Sequence, residues 1–507
     1  MCRWDVCIVD NQRGITVKVL LINPSLNKHR LGSYWRFTTA VPPTGLAYLA
    51  AVLEQDGFQV AIYDQHALHE NNENLIELIG RWQPDIVGFS CLTFVMETVE
   101  DSVRQIRQRF PHIKVLAGNI HATYFPTAML ENNCADYIIR EEGEESMLAI
   151  CRALRDDLHP VDVPGTSTWD NGEIRHNPKP PMIDLETLPY PAWHLLQDYA
   201  YYPDPLKLGP LRSKAQPLAI QASRGCPFAC SFCSQDTMYK RVRIRPTEAV
   251  VDEIEFVHKT YGTTVFGFID AIFPLSPKQG HKFADEMIRR GLHKKIVWFT
   301  ETRVDLVSYD LLKHLKEAGL CFIQYGIESG DDHVLKNLMN KKANVNEARQ
   351  ALKWSRDLSI LTFGLFVVGM PGETREQILK TIRFAKELDP DIVKFNIAIP
   401  FPGSELWERY KHRVQGQPTW KYSGWYNSSL NDSENILAGE ALPSRELQFL
   451  QRRAMFEFYT QPHVLRRYFM EGLVSMDVLA EGFYVMMSEL IRSAVPYARH
   501  QIQAVAA

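Results

Sequence analysis

The sequence predicts an α/β protein in three parts: an N-terminal doubly wound, five-stranded parallel sheet, a central partial (β/α)6 barrel and a C-terminal, mainly helical segment. Three observations predict it. Short β-branched runs alternate with longer helical patterns over residues 17–159 and again over 216–410, which is the signature of parallel sheets covered by helices. A proline-rich stretch, 160–215, divides the two runs. After about Lys411 the β signal fades, and 411–507 reads as helical.

The elements follow in order. Residues 1–16 are an N-terminal extension, and 17–22 (Val-Lys-Val-Leu-Leu-Ile) form the first strand, ending in Asn23-Pro24-Ser25. A helix over 44–55 carries Leu46, Leu49, Val52 and Leu53 at helical spacing, and Gly57 stops it. Strands follow at 58–63, 86–90, 114–117 and 137–139. Ligands of such sheets sit beyond the carboxyl ends of the strands. Prolines from Pro160 to Pro210 mark 160–215 as a connector. The second run places strands at 218–222, 264–269, 297–300, 322–327, 362–368 and 392–399, too few for a closed eight-unit barrel. In the last segment Leu447, Leu450, Met455, Phe458 and Tyr459 fall at helical spacing.

Composition narrows the function classes. The 507 residues allow roughly two to four domains, and ordinary glycine and proline usage excludes collagen-like and disordered chains. With 56 basic and 60 acidic residues the formal charge is −4, so no broad field suggests nucleic acid as a partner. No apolar run reaches the ~18 residues of a membrane span, and the N-terminus lacks a cationic segment followed by an apolar core. A cytoplasmic location is expected. Nine cysteines, at 2, 7, 91, 134, 151, 226, 230, 233 and 321, are too sparse for a disulfide scaffold.

Three of them cluster in Arg224-Gly225-Cys226-Pro227-Phe228-Ala229-Cys230-Ser231-Phe232-Cys233, just after a predicted strand. A compact loop can bring such thiols to one cluster. Structural zinc takes a further ligand pair and ordinary Fe–S clusters a fourth cysteine, and neither is near. Three thiolates on a 4Fe-4S cluster leave one iron open to substrate. A zinc site and three buried apolar thiols are the alternatives.

C-x3-C-x2-C with Phe232 before the third cysteine, at the first strand of a partial β/α barrel, resembles the radical S-adenosylmethionine superfamily. The resemblance implies that Cys226, Cys230 and Cys233 hold the cluster and that its open iron chelates S-adenosylmethionine. Reductive cleavage then yields methionine and a deoxyadenosyl radical that abstracts hydrogen. It also implies contacts at later strand ends. Asp270 of Phe268-Ile269-Asp270 stands where the family contacts the methionine amino group, in place of the common Gly-Gly-Glu. Arg303 of Glu301-Thr302-Arg303 would pair with the methionine carboxylate, and Glu328 of Gly326-Ile327-Glu328-Ser329-Gly330 would bind ribose hydroxyls. Val368-Gly369-Met370-Pro371-Gly372-Glu373 and Pro400-Phe401-Pro402-Gly403 resemble the adenine-side turns, with Gly369, Gly372 and Gly403. Helix capping by the acids and turn-making by the glycines are the plainer roles.

The N-terminal sheet resembles the cobalamin-binding domain of many members. Ser90-Cys91-Leu92 stands at the third-strand position and Gly118-Asn119 at the fourth, where small residues leave room for the nucleotide tail. Gly118-Asn119-Ile120-His121-Ala122-Thr123 and Glu142-Gly143-Glu144 also resemble its loops, which adds His121 and Gly143; an exposed helix-start residue is the other reading of His121. The first-strand loop has Asn23-Pro24-Ser25 where the methionine synthase type has a histidine motif, so cobalt would lack that axial ligand. Asp64-Gln65-His66 follows the second strand and is taken as coincidence.

Together the resemblances imply a cobalamin-dependent radical enzyme that methylates an unactivated carbon of a small molecule, supplied with electrons by a donor such as flavodoxin or ferredoxin. The anaerobic cyclase of magnesium-protoporphyrin monomethyl ester has the same architecture and is the second reading. A corrinoid or Fe–S carrier, of another class, would need no S-adenosylmethionine pocket. A tRNA methylthiotransferase would need further cluster cysteines. Trp420, Tyr422, Trp425, Tyr426, Phe456, Phe458 and Tyr459 either line a site for an apolar or polycyclic substrate or pack as core.

Overall fold

A computed structural model describes residues 17–26, 40–201, 218–235, 239, 241–414, 436–437, 440, 442–470, 473, 476 and 479–491. The described residues form two compact units, one ending at Tyr201 and the other running from 218 onward. Cys2, Cys7, Trp420, Tyr422, Trp425 and Tyr426 lie outside the described residues.

In the first unit, five parallel strands, β1 (Lys18–Asn23), β2 (Gln59–Asp64), β3 (Ile86–Ser90), β4 (Lys114–Gly118) and β5 (Tyr137–Ile139), lie in the order 2-1-3-4-5. The order reverses between β1 and β3, which opens a crevice at their carboxyl ends. Val19, Leu20, Leu21 and Ile22 are fully buried, as strands covered on both faces require. The expected helix is found at Thr44–Gln55.

The stretch expected as a connector is different. Thr166–Asp170 (β6) and Glu173–His176 (β7) form an antiparallel hairpin that extends the sheet past β5. Its turn is Asn171-Gly172, both at positive φ (50° and 87°), the two-residue geometry that matches strand twist. The hairpin covers the β5 edge, which would otherwise expose unpaired backbone groups. Further on, the Tyr199 hydroxyl donates to Ile62 O and that of Tyr201 to Asp64 Oδ2, so 160–201 belongs to the first unit.

The second unit is a six-stranded parallel sheet: β8 (Leu218–Ile220), β11 (Val265–Phe268), β12 (Val297–Arg303), β13 (Leu320–Glu328), β14 (Leu361–Val368) and β15 (Ile392–Ile397). They lie in sequence order without closure between β8 and β15. A two-residue pair, β9 (Ser223–Arg224) with β10 (Arg243–Ile244), brackets the cysteine loop. Four helices between the strands begin at capping side chains: Ser276, Ser308, and the capping boxes Asn344/Glu347 and Thr374/Gln377. The helices cover one face. Trp298 on that face stacks on Phe266 and meets Phe283 of the helix Pro277–Arg289 edge-on. On the other face Phe299 lies over Gly267, where a Cβ would come within 2.2 Å of its ring.

Helices Ser444–Tyr459 and Pro462–Met470 follow, in keeping with the helical expectation. Phe458 is fully buried, and the Tyr459 hydroxyl donates to Val393 O. These two aromatics pack against β15, in keeping with the core reading of this stretch.

Candidate functional site

The cysteine loop leaves β9 through Gly225, whose φ of 97° and 2.9 Å approach of a Cβ to Arg241 O both demand glycine. Backbone groups fix it. Asn340 Nδ2 donates to Ala229 O (2.7 Å), Ser231 Oγ to Leu338 O (2.7 Å), Ser231 N to Met339 O and Leu406 N to Ser231 O. Cys226, Cys230 and Cys233 form no disulfide and are half-exposed. Burial pushes the Cys230 thiol up, while Lys341 and Arg303 pull it down. Arg303 Nη1 lies 3.9 Å from Cys230 Sγ, and its guanidinium sits 3.8 Å from the centre of the Phe228 ring.

Among the described residues, no three Cys, His, Asp or Glu side chains group around a point that would take a single metal ion. A 4Fe-4S cluster fits the three-thiol loop, because each thiolate would bind a different iron and the Arg303 guanidinium would offset the negative charge of a thiolate-bound cluster.

The strand-end residues gather at the same edge with partners of their own. The buried Asp270 carboxylate accepts from Ala222 N (2.9 Å) and Ser223 Oγ, and burial raises it to about 7. Both oxygens thus engage the segment leading into the cysteine loop. Arg303 forms a two-point pair with Asp305 (2.9 and 2.8 Å), leaving Nη1 directed at Cys230. Glu328 sits at a register shift with φ of 68°, and its Oε1 accepts from Lys341 Nζ at 2.9 Å, both side chains buried. Gly369 and Gly372 take φ of 83° and 84°, and Gly403 86°. Glu373 Oε2 accepts from Gly369 N (2.6 Å) and Met370 N (3.1 Å), and burial raises its carboxyl to about 7.

Sequence reasoning passed over four residues here: Glu301, Lys341, Glu373 and Lys394. Glu301 and Lys394 project from the open face of the sheet. Glu301 is exposed to solvent there, yet desolvation by surrounding protein, then repulsion from Glu328, raises its carboxyl to about 7 while Lys341 lowers it. A charged residue inside an otherwise apolar parallel strand was the available signal, as in Val393-Lys394-Phe395.

In the first unit Ser90, Leu92, Gly118 and Gly143 are half-exposed at the carboxyl edge. Asn119, at φ of 80°, links β4 to β3 by donating from Nδ2 to Ser90 Oγ (2.9 Å), and a Cβ on Gly118 would meet nothing closer than 3.7 Å. Small residues thus line this edge, with Ile139 at ordinary contact distance beside Gly118. Asn23, Pro24 and Ser25 offer no imidazole; Asn23 Nδ2 donates to Asp64 Oδ1, and Ser25 N to Gln65 Oε1. Asp64 is fully buried and also accepts from Ala67 N.

His121 is neither exposed nor directed outward. It is buried, 3.3 Å from Thr93 Oγ1 and packed on Phe125, and burial lowers it to about 3. Its folded value lies below the unfolded 6.5, so the unfolded chain binds the extra proton between these limits and stability falls as pH drops below 6.5. At about pH 5 this removes about 2 kcal/mol. Hydrogen exchange of the first-unit strands in the full chain should accelerate accordingly, and His121→Gln should abolish that pH dependence. An equal acceleration in the variant would show that His121 is not held neutral.

Comparison with known proteins adds the following. The B12 binding domain family matches residues 36–151, and the radical SAM superfamily matches 220–385. An uncharacterized methyltransferase of Pyrococcus horikoshii is 30% identical over 456 residues, covering 89% of this chain and 94% of its own. The anaerobic magnesium-protoporphyrin IX monomethyl ester cyclase of Cereibacter sphaeroides is 29% identical, covering 90% of this chain and 74% of its own. The radical S-adenosylmethionine methyltransferase TsrM of Kitasatospora setae has a similar fold, with a TM-score of 0.63 at 19% identity over 79% of this chain and 76% of that one.

Proposed function

Because the chain belongs to the radical S-adenosylmethionine enzymes that carry a B12-binding domain, we propose that it methylates an unactivated carbon of a small-molecule substrate. The observation that carries this reading is the three-thiol loop beside Arg303 in a chain that also has the corrinoid-type sheet edge. When bound, the 4Fe-4S cluster, S-adenosylmethionine and cobalamin supply the electron, the radical and the methyl group.

The protein's own part is positional. Cys226, Cys230 and Cys233 hold the cluster, and Asp270 fixes the segment that leads into their loop. Arg303 offers Nη1 to a carboxylate beside the cluster, and the Glu328–Lys341 pair faces ribose hydroxyls. Gly369, Gly372 and Gly403 turn the backbone close to adenine, with Glu373 bracing the first turn. Ser90, Leu92, Gly118 and Gly143 line the corrinoid edge, and buried His121 supports it from beneath. A one-electron donor such as flavodoxin or ferredoxin fits the chemistry, and the near-neutral charge favours no nucleic acid. Nine cysteines in 507 residues are too sparse for a disulfide scaffold, which supports a reducing, cytoplasmic setting; no helix among the described residues is long and apolar enough to cross a membrane.

Oxidative cyclisation is the second reading, favoured by the identity to the cyclase across 90% of the chain. Anaerobic turnover of the reconstituted full chain with methyl-deuterated S-adenosylmethionine, on a small-molecule extract of cells lacking the gene, separates the two. A product carrying the labelled methyl is expected. An unlabelled product that has lost hydrogen favours cyclisation, and a full chain that retains no corrinoid overturns both.

A further inference from the structure

Among the described residues, Lys394 on the open face of the second sheet is a cation that the cofactor chemistry does not use. In β15 the side chains of Val393, Phe395 and Ile397 are buried on the helix-covered face: Phe395 stacks on Phe366 at 4.9 Å, and helix Ser444–Tyr459 adds Gln451 Nε2 donating to Phe395 O. Alternation puts Lys394 and Asn396 on the opposite face. The ladder pairs Arg303 with Gly326, Gly326 with Leu365 and Leu365 with Lys394, so Lys394 shares a rung with the arginine beside the cluster loop. Next to it, half-exposed Phe363 and Leu365 give this face an apolar wall.

Lys394 makes no hydrogen bond or ion pair with any described residue, whereas the other cations of this edge are matched, Arg303 by Asp305 and Lys341 by Glu328. A lysine that merely reached into bulk water from an edge strand would feel little desolvation. Here surrounding protein lowers its pKa although its side chain stays accessible. An ammonium set beside apolar side chains, with no counter-ion among the described residues, gains most from a ligand that brings negative charge.

We propose that Lys394 binds an anionic group, carboxylate or phosphonate, of the substrate, whose apolar body lies along Phe363 and Leu365. The substrate class is then an amphipathic organic acid. This rests on the reading of the second unit as the substrate-bearing barrel.

The test uses the full chain with its lysines reductively 13C-dimethylated, Lys394→Arg identifying the Lys394 resonance. Benzoate and phenylphosphonate are titrated as the two anion probes, and benzamide as the neutral control. A saturable shift with either anion and none with benzamide is expected, and the stronger of the two names the anion. By equilibrium dialysis on unmodified protein, Lys394→Met should weaken the preferred anion by about tenfold or more, as loss of a charge-assisted pair implies, with unchanged melting temperature. Absence of a shift with both anions, an equal shift with benzamide, or undiminished binding by the variant overturns the proposal. Deoxyadenosine formation by the unmodified wild-type chain is read separately; its absence counts against the radical-enzyme reading and leaves the anion titration interpretable.

Discussion

Replacing Cys226, Cys230 and Cys233 together by alanine should remove the iron–sulfur chromophore and abolish S-adenosylmethionine cleavage, with iron and sulfide falling from about four each per chain to background. The loop is held by Ala229 O, Ser231 and Leu406 through backbone and side-chain bonds that alanine leaves intact, so the fold should survive. Its local electrostatics are specific to these thiols: Lys341 and Arg303 both act on Cys230 to favour the thiolate that iron requires. The control is Cys151→Ala. Burial pushes the Cys151 thiol up to about 12, which keeps it neutral near pH 7 and useless as a ligand, so this variant should retain full iron and cleavage. Iron and sulfide persisting in the triple variant would place the cluster elsewhere.

How far the fold could be read in advance depended on what shaped each segment. Where burial on both faces dictates apolar β-branched runs, the reading was close: 86–90 and 137–139 coincide with β3 and β5, and 44–55 with its helix. It stopped short where a strand turns polar. β12 continues through Thr302 and Arg303, paired to Tyr325 and Gly326, because its last inner residues face a site and not a core. The β6–β7 hairpin escaped because prolines dominated the surrounding composition, although Asn171-Gly172 carried a turn signal.

The site was legible in the same uneven way. Cysteine spacing is local and survives without a structure, whereas the partner of Glu328 comes from Lys341, thirteen residues on, and the left-handed backbone at Glu328 has no glycine to announce it. Asp270 was expected to face a ligand, and its carboxylate also accepts from Ala222 and Ser223, partners that only packing reveals. His121 illustrates the converse: a residue expected in a loop role is sealed beneath it.

The Glu328–Lys341 pair leads to the second large effect. Lys341 is 4% and Glu328 9% exposed, and Lys341 Nζ lies 2.9 Å from Glu328 Oε1. Lys341→Met keeps the volume and removes the ammonium, leaving a buried carboxylate without its counter-ion, a change that typically costs about 3–5 kcal/mol. Glu301 feels it too, since Lys341 is the group that lowers its carboxyl against desolvation by surrounding protein and repulsion from Glu328. Its folded value of about 7 already exceeds the 4.5 of the free side chain, so its contribution to stability is present at low pH and is lost as pH rises from 4.5 through 7. Without Lys341 that loss should extend to higher pH. The variant should therefore lose most stability above neutrality and approach wild type near pH 5, measured by thermal unfolding across pH. Adding Glu328→Gln should recover much of the loss, because both charges are then gone and the amide replaces the carboxylate in shape. A double variant no more stable than Lys341→Met alone, or a pH-independent loss, would mean that Lys341 acts by packing and that the pair does not set the charge of this edge.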